Sequence, residues 1–298
     1  MRVYLTLNYP GFTVGDKTLL TGIKANDKYY ITGFYKHLEE TITFVYYGTV
    51  SGADISNINN WHTLNYPGAA VTNLYGPAVN CRGIRAVGNY TIAGGSQTYG
   101  CLYQGTLAGK GLWKTIMPPK AINCICHSTM KNLLVGNYSI GEQDAGNAFI
   151  YNIKHDSYDN ITLPDVRSIT AYGIWYNGKN NYTICGGADR KAYIVDYNSK
   201  DKKLSNWQFY RDGLISHFEG ISAAENGYSL VADIVDGDQQ SAKIAYVKRK
   251  NNGRFSSIKW ESLAVPNQNT SGNSIAGSTA IGVSTDSVST NGFISIVI

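Results

Sequence analysis

In the stretch SHFEG, His217 and Glu219 form the close acid–base pair of this chain. At i and i+2 of a strand they project to the same side, where a carboxylate beside an imidazole can act as a general base. Arg167 and Asp212, nearby in the order of the repeat described below, would complete a hydrolytic or epimerising centre, with Glu219 as base and Arg167 facing a developing oxyanion. The simpler reading of these residues is a channel-lining Glu219–Arg167 ion pair with His217 in a loop. Other chemistry is thinner. Asp236 and Asp238 in DIVDGDQQ offer oxygen ligands of the kind calcium takes. That segment lacks the length and distal Glu of a calcium loop, so a polar hairpin tip is expected. His37, His62, His127 and His155 are scattered without metal-ligand spacing. The Gly-rich GGSQTYG and GNYTIAGG have no helix behind them to hold a phosphate, and no Gly-x-Ser-x-Gly elbow is present. Neither a metal nor a cofactor is expected.

The elements that must position these groups are strands. The chain has 298 residues, 23 of them Tyr and 32 Gly, against 7 Pro and 3 Met, the profile of many short strands joined by tight turns. Charged residues make up 16% and the net charge is +5. The basic run KRKNNGR (Lys248 to Arg254) reads as a hairpin tip, so a nucleic-acid footprint, which needs clustered Lys and Arg, is not expected. No window approaches the roughly 20 apolar residues of a membrane-spanning helix. MRVYLTLNYPG alternates and ends in a turn, unlike a secretion signal. Of the five cysteines, Cys124 and Cys126 alternate along one strand and are too poorly placed for a bridge. Free thiols are the first expectation and a Cys81–Cys101 bridge the second.

The segment TLNYPG occurs twice, from Thr6 and again from Thr63. A run opening near Gly22, Gly76, Cys124, Gly173, Gly220 and Gly272 recurs at intervals of 47 to 54 residues. Each is followed by a second run (YITGFY, RAVGNY, LLVGNY, TICGGA, LVADIV, AIGVST), then by a third and a fourth, the fourth usually led by Trp. The sixth unit reaches Ile298 with three runs, and YLTLNYP near the start supplies the fourth. Four short strands per unit of about 50 residues is the pattern of a β-propeller blade. The expected fold is therefore all-β: a six-bladed propeller filling one domain, closed by the N-terminal strand completing the last blade. The expected blades are 12–67, 68–119, 120–165, 166–212, 213–266, and 267–298 with 1–11.

Propeller sites usually lie at the channel mouth, at the start of each innermost strand. That places Thr21, Tyr75, Asn123, Tyr172, Glu219 and Ser271 in a ring, with Trp175 facing the channel. Such a ring would bind a sugar or another polar, planar ligand, since Tyr combines a stacking face with a hydroxyl. Asn89 and Asn137, in GNYT and GNYS, read as turn chemistry. Trp61, Trp113, Trp207 and Trp260 recur at one place in the repeat and read as packing between blades.

WHTLNYPGAAVTNLYGPAVNCRGIRAVGNYTIAGGSQTYGCLYQG (Trp61 to Gly105), and less fully LLVGNYS…NAFIYN (Leu133 to Asn152), resemble the HAF-type extracellular repeats of bacteria. The chain departs from them in lacking the His before FLY and, in most units, the GIN triplet. The resemblance implies a repeat scaffold of exported or surface proteins, with no catalytic residues to carry over. The functional expectation is a non-enzymatic propeller, secreted or at the cell surface, that recognises a carbohydrate or protein. A propeller hydrolase or lyase, centred on Glu219, His217 and Arg167, is the alternative. A cytoplasmic location is the alternative compartment.

Overall fold

The computed structural model describes residues 1–80, 83–141, 146–210, 215–236 and 239–297. The chain opens with β1 (Arg2–Thr6) and continues in runs of antiparallel strands joined in sequence order. The first run is β2 (Lys17–Ala25), β3 (Tyr29–His37), β4 (Glu40–Gly48) and β5 (Trp61–Thr63). The second is β6 (Val71–Asn80), β7 (Gly83–Thr91), β8 (Thr98–Gly105) and β9 (Gly111–Ile116). The third is β10 (Asn123–Met130), β11 (Leu133–Ser139), β12 (Asn147–Asn152) and β13 (Ser157–Ile161). The fourth is β14 (Ile169–Gly178), β15 (Asn181–Ala188), β16 (Lys191–Asn198) and β17 (Lys203–Tyr210). The fifth is β18 (Gly220–Ala224), β19 (Gly227–Asp236), β20 (Gln239–Arg249) and β21 (Phe255–Leu263). The last is β22 (Asn269–Ala276), β23 (Thr279–Thr285) and β24 (Thr290–Val297).

The apolar third runs of the repeat are strands covered on both faces. Successive side chains of a strand point to opposite faces, so Phe44 and Tyr46 enter one core cluster while Val45 enters the next. Phe149 and Tyr151 are likewise divided from Ala148 and Ile150. The described residues form six core clusters, each in a gap between successive runs, including the gap between the last and the first. The fully buried tyrosines of the third strands keep their hydroxyls bonded: Tyr103 donates to Thr106 O at 2.7 Å and Tyr193 to Thr170 O at 2.8 Å.

The last run takes its outer strand from the other end of the chain. β1 pairs antiparallel with β24, from Arg2↔Val297 to Thr6↔Phe293. Leu7 N–H then donates to Gly292 O at 2.8 Å. Beyond it, the loop before β2 folds onto residues 286–290. Thr290 N–H donates to Asp16 O, Gly15 N–H donates to Ser289 Oγ, and Lys17 bridges Thr290 in parallel. That bridge joins the last run to the first, so hydrogen bonding defines five sheets, one of eight strands and four of four, and not six separate ones. The innermost strands touch in the cyclic order β2, β6, β10, β14, β18, β22 and back to β2.

Several expectations change at this level. Asn89 and Asn137 sit within strands and not in turns. Asn89 is buried, and Asn137 Oδ1 accepts the Ala171 N–H of the next run at 2.7 Å. Cys101, Cys124, Cys126 and Cys185 are buried free thiols, so Cys101 is not bridged; Cys81 lies outside the described residues. Among the described residues no helix is long and apolar enough to cross a membrane.

Candidate functional site

Five of the six innermost strands carry a β-bulge at the same place. The register shifts between Leu20 and Gly22, Leu74 and Pro77, Cys126 and Ser128, Ala171 and Gly173, and Gly272 and Ser274. A bulge re-aims the extra residue, and here the extra residues are Thr21, Tyr75 with Gly76, His127, Tyr172 and Asn273. In the remaining strand, β18, pairing is regular from Gly220↔Val231, and Glu219 comes in just ahead of it with its N–H on Val231 O at 2.8 Å.

The bulge explains a second feature of the repeat. It pushes a carbonyl of the innermost strand toward the facing strand, where only glycine leaves room. A Cβ on Gly186 would lie 1.9 Å from Thr170 O, and one on Gly136 would lie 2.2 Å from Ile125 O. The unbulged fifth run has Ala232 in that place.

Two cavities lie between the innermost strands. The larger, about 300 Å³, runs from the bulges toward the C-terminal ends of these strands, past Lys24, Met130, Trp175 and Ala223. The smaller, about 200 Å³, opens on the other side beside Leu19, Phe34 and Tyr75. Thr21, His127, Tyr172, Glu219 and Asn273 line both. Aromatic rings follow one another around this waist. Tyr75 lies 5.2 Å from His127, His127 stands edge-on to Tyr172 at 4.5 Å, and Tyr172 stacks on His217 at 4.8 Å. His217 Nε2 contacts Glu219 Oε1 at 2.5 Å, and its Nδ1 lies 2.7 Å from Ser216 Oγ.

Burial alone would disfavour a charged His217, but the Glu219 carboxylate, aided by Asp233, outweighs it and holds the imidazole above its usual range. His127 lies deep in the same ring. Burial, reinforced by the charge of His217, pushes it down to about 3, so it is a neutral imidazole with one donor and one acceptor nitrogen. Burial first, and the Glu219 carboxylate second, raise Tyr172 to about 12 and also raise Tyr75, keeping both as phenols. Asp233, behind the ring, is raised to about 6, chiefly by burial; Ser271 and the Gly272 N–H, the latter at 2.7 Å, hold its carboxylate and oppose the shift.

The structure brings together Thr21, Tyr75, Tyr172, Glu219 and Trp175 of the expected ring, with His217 beside Glu219. It does not bring in Asn123 and Ser271, nor the catalytic candidate Arg167. Asn123 lies outside both cavities, where its Oδ1 accepts the Thr98 N–H at 2.9 Å; His127, four residues on, stands on the channel in its place. Ser271 bonds Asp233, and Asn273 occupies its expected position. Both shifts arise because these two hairpins have short arms: three residues separate His127 and Asn273 from their turns, against six after Tyr172, so a common spacing places the channel residue too early. Arg167 is exposed before β14, with its backbone N–H on Asp189, and forms no ion pair with Glu219. Asp212, Asp238 and the side chain of Asp236 lie outside the described residues. His37 is not isolated: it contacts the buried Asp16 at 2.6 Å. Lys24 and Asp233 carried no sequence signal. The second-run glycine did carry one for His127 and Asn273, because Gly136 pairs with Cys126 and Gly282 with Gly272, each one residue before the channel residue.

No protein-family profile matches this chain, and no curated protein does. Solved structures do. A luciferin-regenerating enzyme aligns at TM-score 0.60 and 11% identity, over 100% of this chain and 96% of its own. A DUF4221-family protein of Bacteroides vulgatus aligns at 0.53 and 7%, over 99% and 95%. The Cps50 (Swd1) β-propeller domain of Myceliophteria thermophila aligns at 0.50 and 10%, over 95% and 99%. At these identities the likeness concerns the fold alone: the chain is all-β with β-propeller neighbours.

Proposed function

We propose that this chain is a closed six-bladed β-propeller of one domain that binds a small polar ligand of carbohydrate type in its axial channel without altering it. The observation that carries the reading is the waist shared by both cavities. Thr21, His127, Tyr172, Glu219 and Asn273 deliver hydroxyl, imidazole, phenol, carboxylate and amide to it, and Tyr75 adds a second phenol on the smaller cavity. Such a set matches the mixed donors and acceptors of a sugar. A cavity of about 300 Å³ is at the small end of ligand pockets, so the ligand is one or two rings in size. Tyr172 is held between two histidines and presents its hydroxyl, leaving Trp175 as the flat face for a ring. Glycan-array binding of the wild type against Tyr172→Ala tests this. Several-fold loss in the variant is expected; equal binding, or none to any glycan by wild type, overturns it.

The His217–Glu219 contact favours a second reading, acid–base chemistry on a small polar substrate, with Glu219 as base and no part for Arg167. Turnover of an ester or glycoside that Glu219→Gln abolishes while binding persists would select it. A protein ligand without a channel site is the third reading, and would survive Tyr172→Ala untouched. With the HAF-type assignment we also propose a secreted or surface location, which fractionation of the native cells tests.

A further inference from the structure

Lys24 is the cation that lines the larger cavity, on β2, and Trp175 faces it from β14, three strands away round the ring. The Lys24 Nζ lies 4.6 Å from the Trp175 ring centroid, so the two side chains span the channel near its C-terminal end. The ammonium is half-buried and, among the described residues, no carboxylate pairs with it; the ion pairs are those of Arg2, His37, Lys114, Lys202, His217 and Arg249. Glu219, the carboxylate on the cavity, is engaged by His217. Among the described residues the lining therefore carries one positive charge, whose partner is an aromatic face. A cation–π contact of this kind is weaker than a charge-assisted hydrogen bond to an anion. Turns around this opening add Lys28, Lys131 and Lys179 against Asp27 and Glu225. Burial, then the charge of Lys131, lowers the pKa of Lys24, and a bound anion would relieve both.

We propose that the channel ligand is an acidic saccharide, and that Lys24 leaves Trp175 to bind its anionic group while the sugar ring takes the Trp175 face. This rests on the saccharide reading above and sharpens it. The geometry supplies both halves of such recognition, a mobile ammonium and a flat ring uncovered when the ammonium moves. The waist beyond, with Glu219 paired and His127 neutral, receives the hydroxyls.

The test is a titration of the full chain with glucuronate, glucose 6-sulfate and glucose, for wild type, Lys24→Met and Trp175→Phe. Wild type should prefer at least one of the two acids over glucose by about tenfold or more, the worth of a hydrogen bond to a charged group. Lys24→Met should remove that preference. The difference in tryptophan emission between wild type and Trp175→Phe should change more on adding the acid, which draws Lys24 off the ring, than on adding glucose. The carboxylate and sulfate arms tell which anion is preferred. Glucose bound as well as both acids, or an acid preference surviving in Lys24→Met, overturns the proposal and leaves the saccharide reading standing. No binding of any of the three by folded wild type, with a glycan array equally blank, overturns both.

Discussion

The fourth and fifth runs of this chain solve one problem in two ways. Each must bring a polar side chain to the axis from an innermost strand that is otherwise packed. In the fourth, β14 takes an extra residue, Tyr172, between Ala171↔Gly186 and Gly173↔Cys185. The displaced Thr170 carbonyl then requires glycine at 186. In the fifth, β18 stays regular, Glu219 arrives from the preceding loop, and Ala232 is tolerated. A loop residue is held less firmly by a ladder than a bulge residue is. Glu219 is therefore held by its own neighbour His217, two residues back, while Asp233 nearby on β19 opposes its charge. The bulged position yields a rigid lining group; the unbulged one yields a titratable cluster.

The largest expected effect breaks that comparison directly. Gly186→Ala should destabilise the protein by about 3 kcal/mol, the upper range for overpacking a fixed core. Ala232→Gly should cost only about 1 kcal/mol, the entropic cost of glycine in a strand. Urea denaturation of both variants measures the difference, and equal costs would remove the steric role given to the bulge.

The next effect is in pH. Asp233 has a folded pKa of about 6 against an unfolded value near 3.8, and His217 is also raised. A raised folded pKa gives stability that is full below the unfolded value and lost as pH rises through the folded one. Wild type should thus lose stability from about pH 4 to 6 through Asp233, by an order of 2–3 kcal/mol. It should lose more above about 6.5 through His217. Asp233→Asn should flatten the lower segment alone, in melts across that range. A flat wild-type profile would show that the cluster does not titrate as described.

Glu219→Gln sharpens the same point. With the carboxylate gone, burial acts on His217 against Asp233 alone, so its imidazole should titrate lower than in wild type, as read by proton NMR of the ring. The smallest effect belongs to Arg167→Ala. Its side chain is exposed and outside the cavities, so stability should stay within about 0.5 kcal/mol, and channel binding should not change.

The sequence made the strands legible because burial on both faces leaves apolar runs that nothing else in a chain of this composition explains. It made the N-terminal strand legible because a repeat one strand short must find that strand elsewhere. Channel residues were legible where the apolar run begins at a fixed distance from them, as at Thr21, Tyr75, Tyr172 and Glu219. They were hidden where it does not. The hairpin of β10 and β11 has a short arm, three residues from His127 to its turn where six follow Tyr172, so counting from the run's start lands on Asn123 and counting from Gly136 lands beside His127. Lys24 and Trp175 belong to strands on opposite sides of the ring, and no spacing along the chain records that meeting.

The pairing of Arg2 with Val297 has a practical consequence. With the two ends on adjacent strands, a short linker can join them, and the chain can be reopened at the exposed 250–253 turn between β20 and β21. Such a circular permutant keeps every strand pair described here except at that hairpin's connection, and moves both ends to the neighbouring outer edge, away from the axis. A fluorescent fusion or surface tether placed there would leave both cavities between the innermost strands clear.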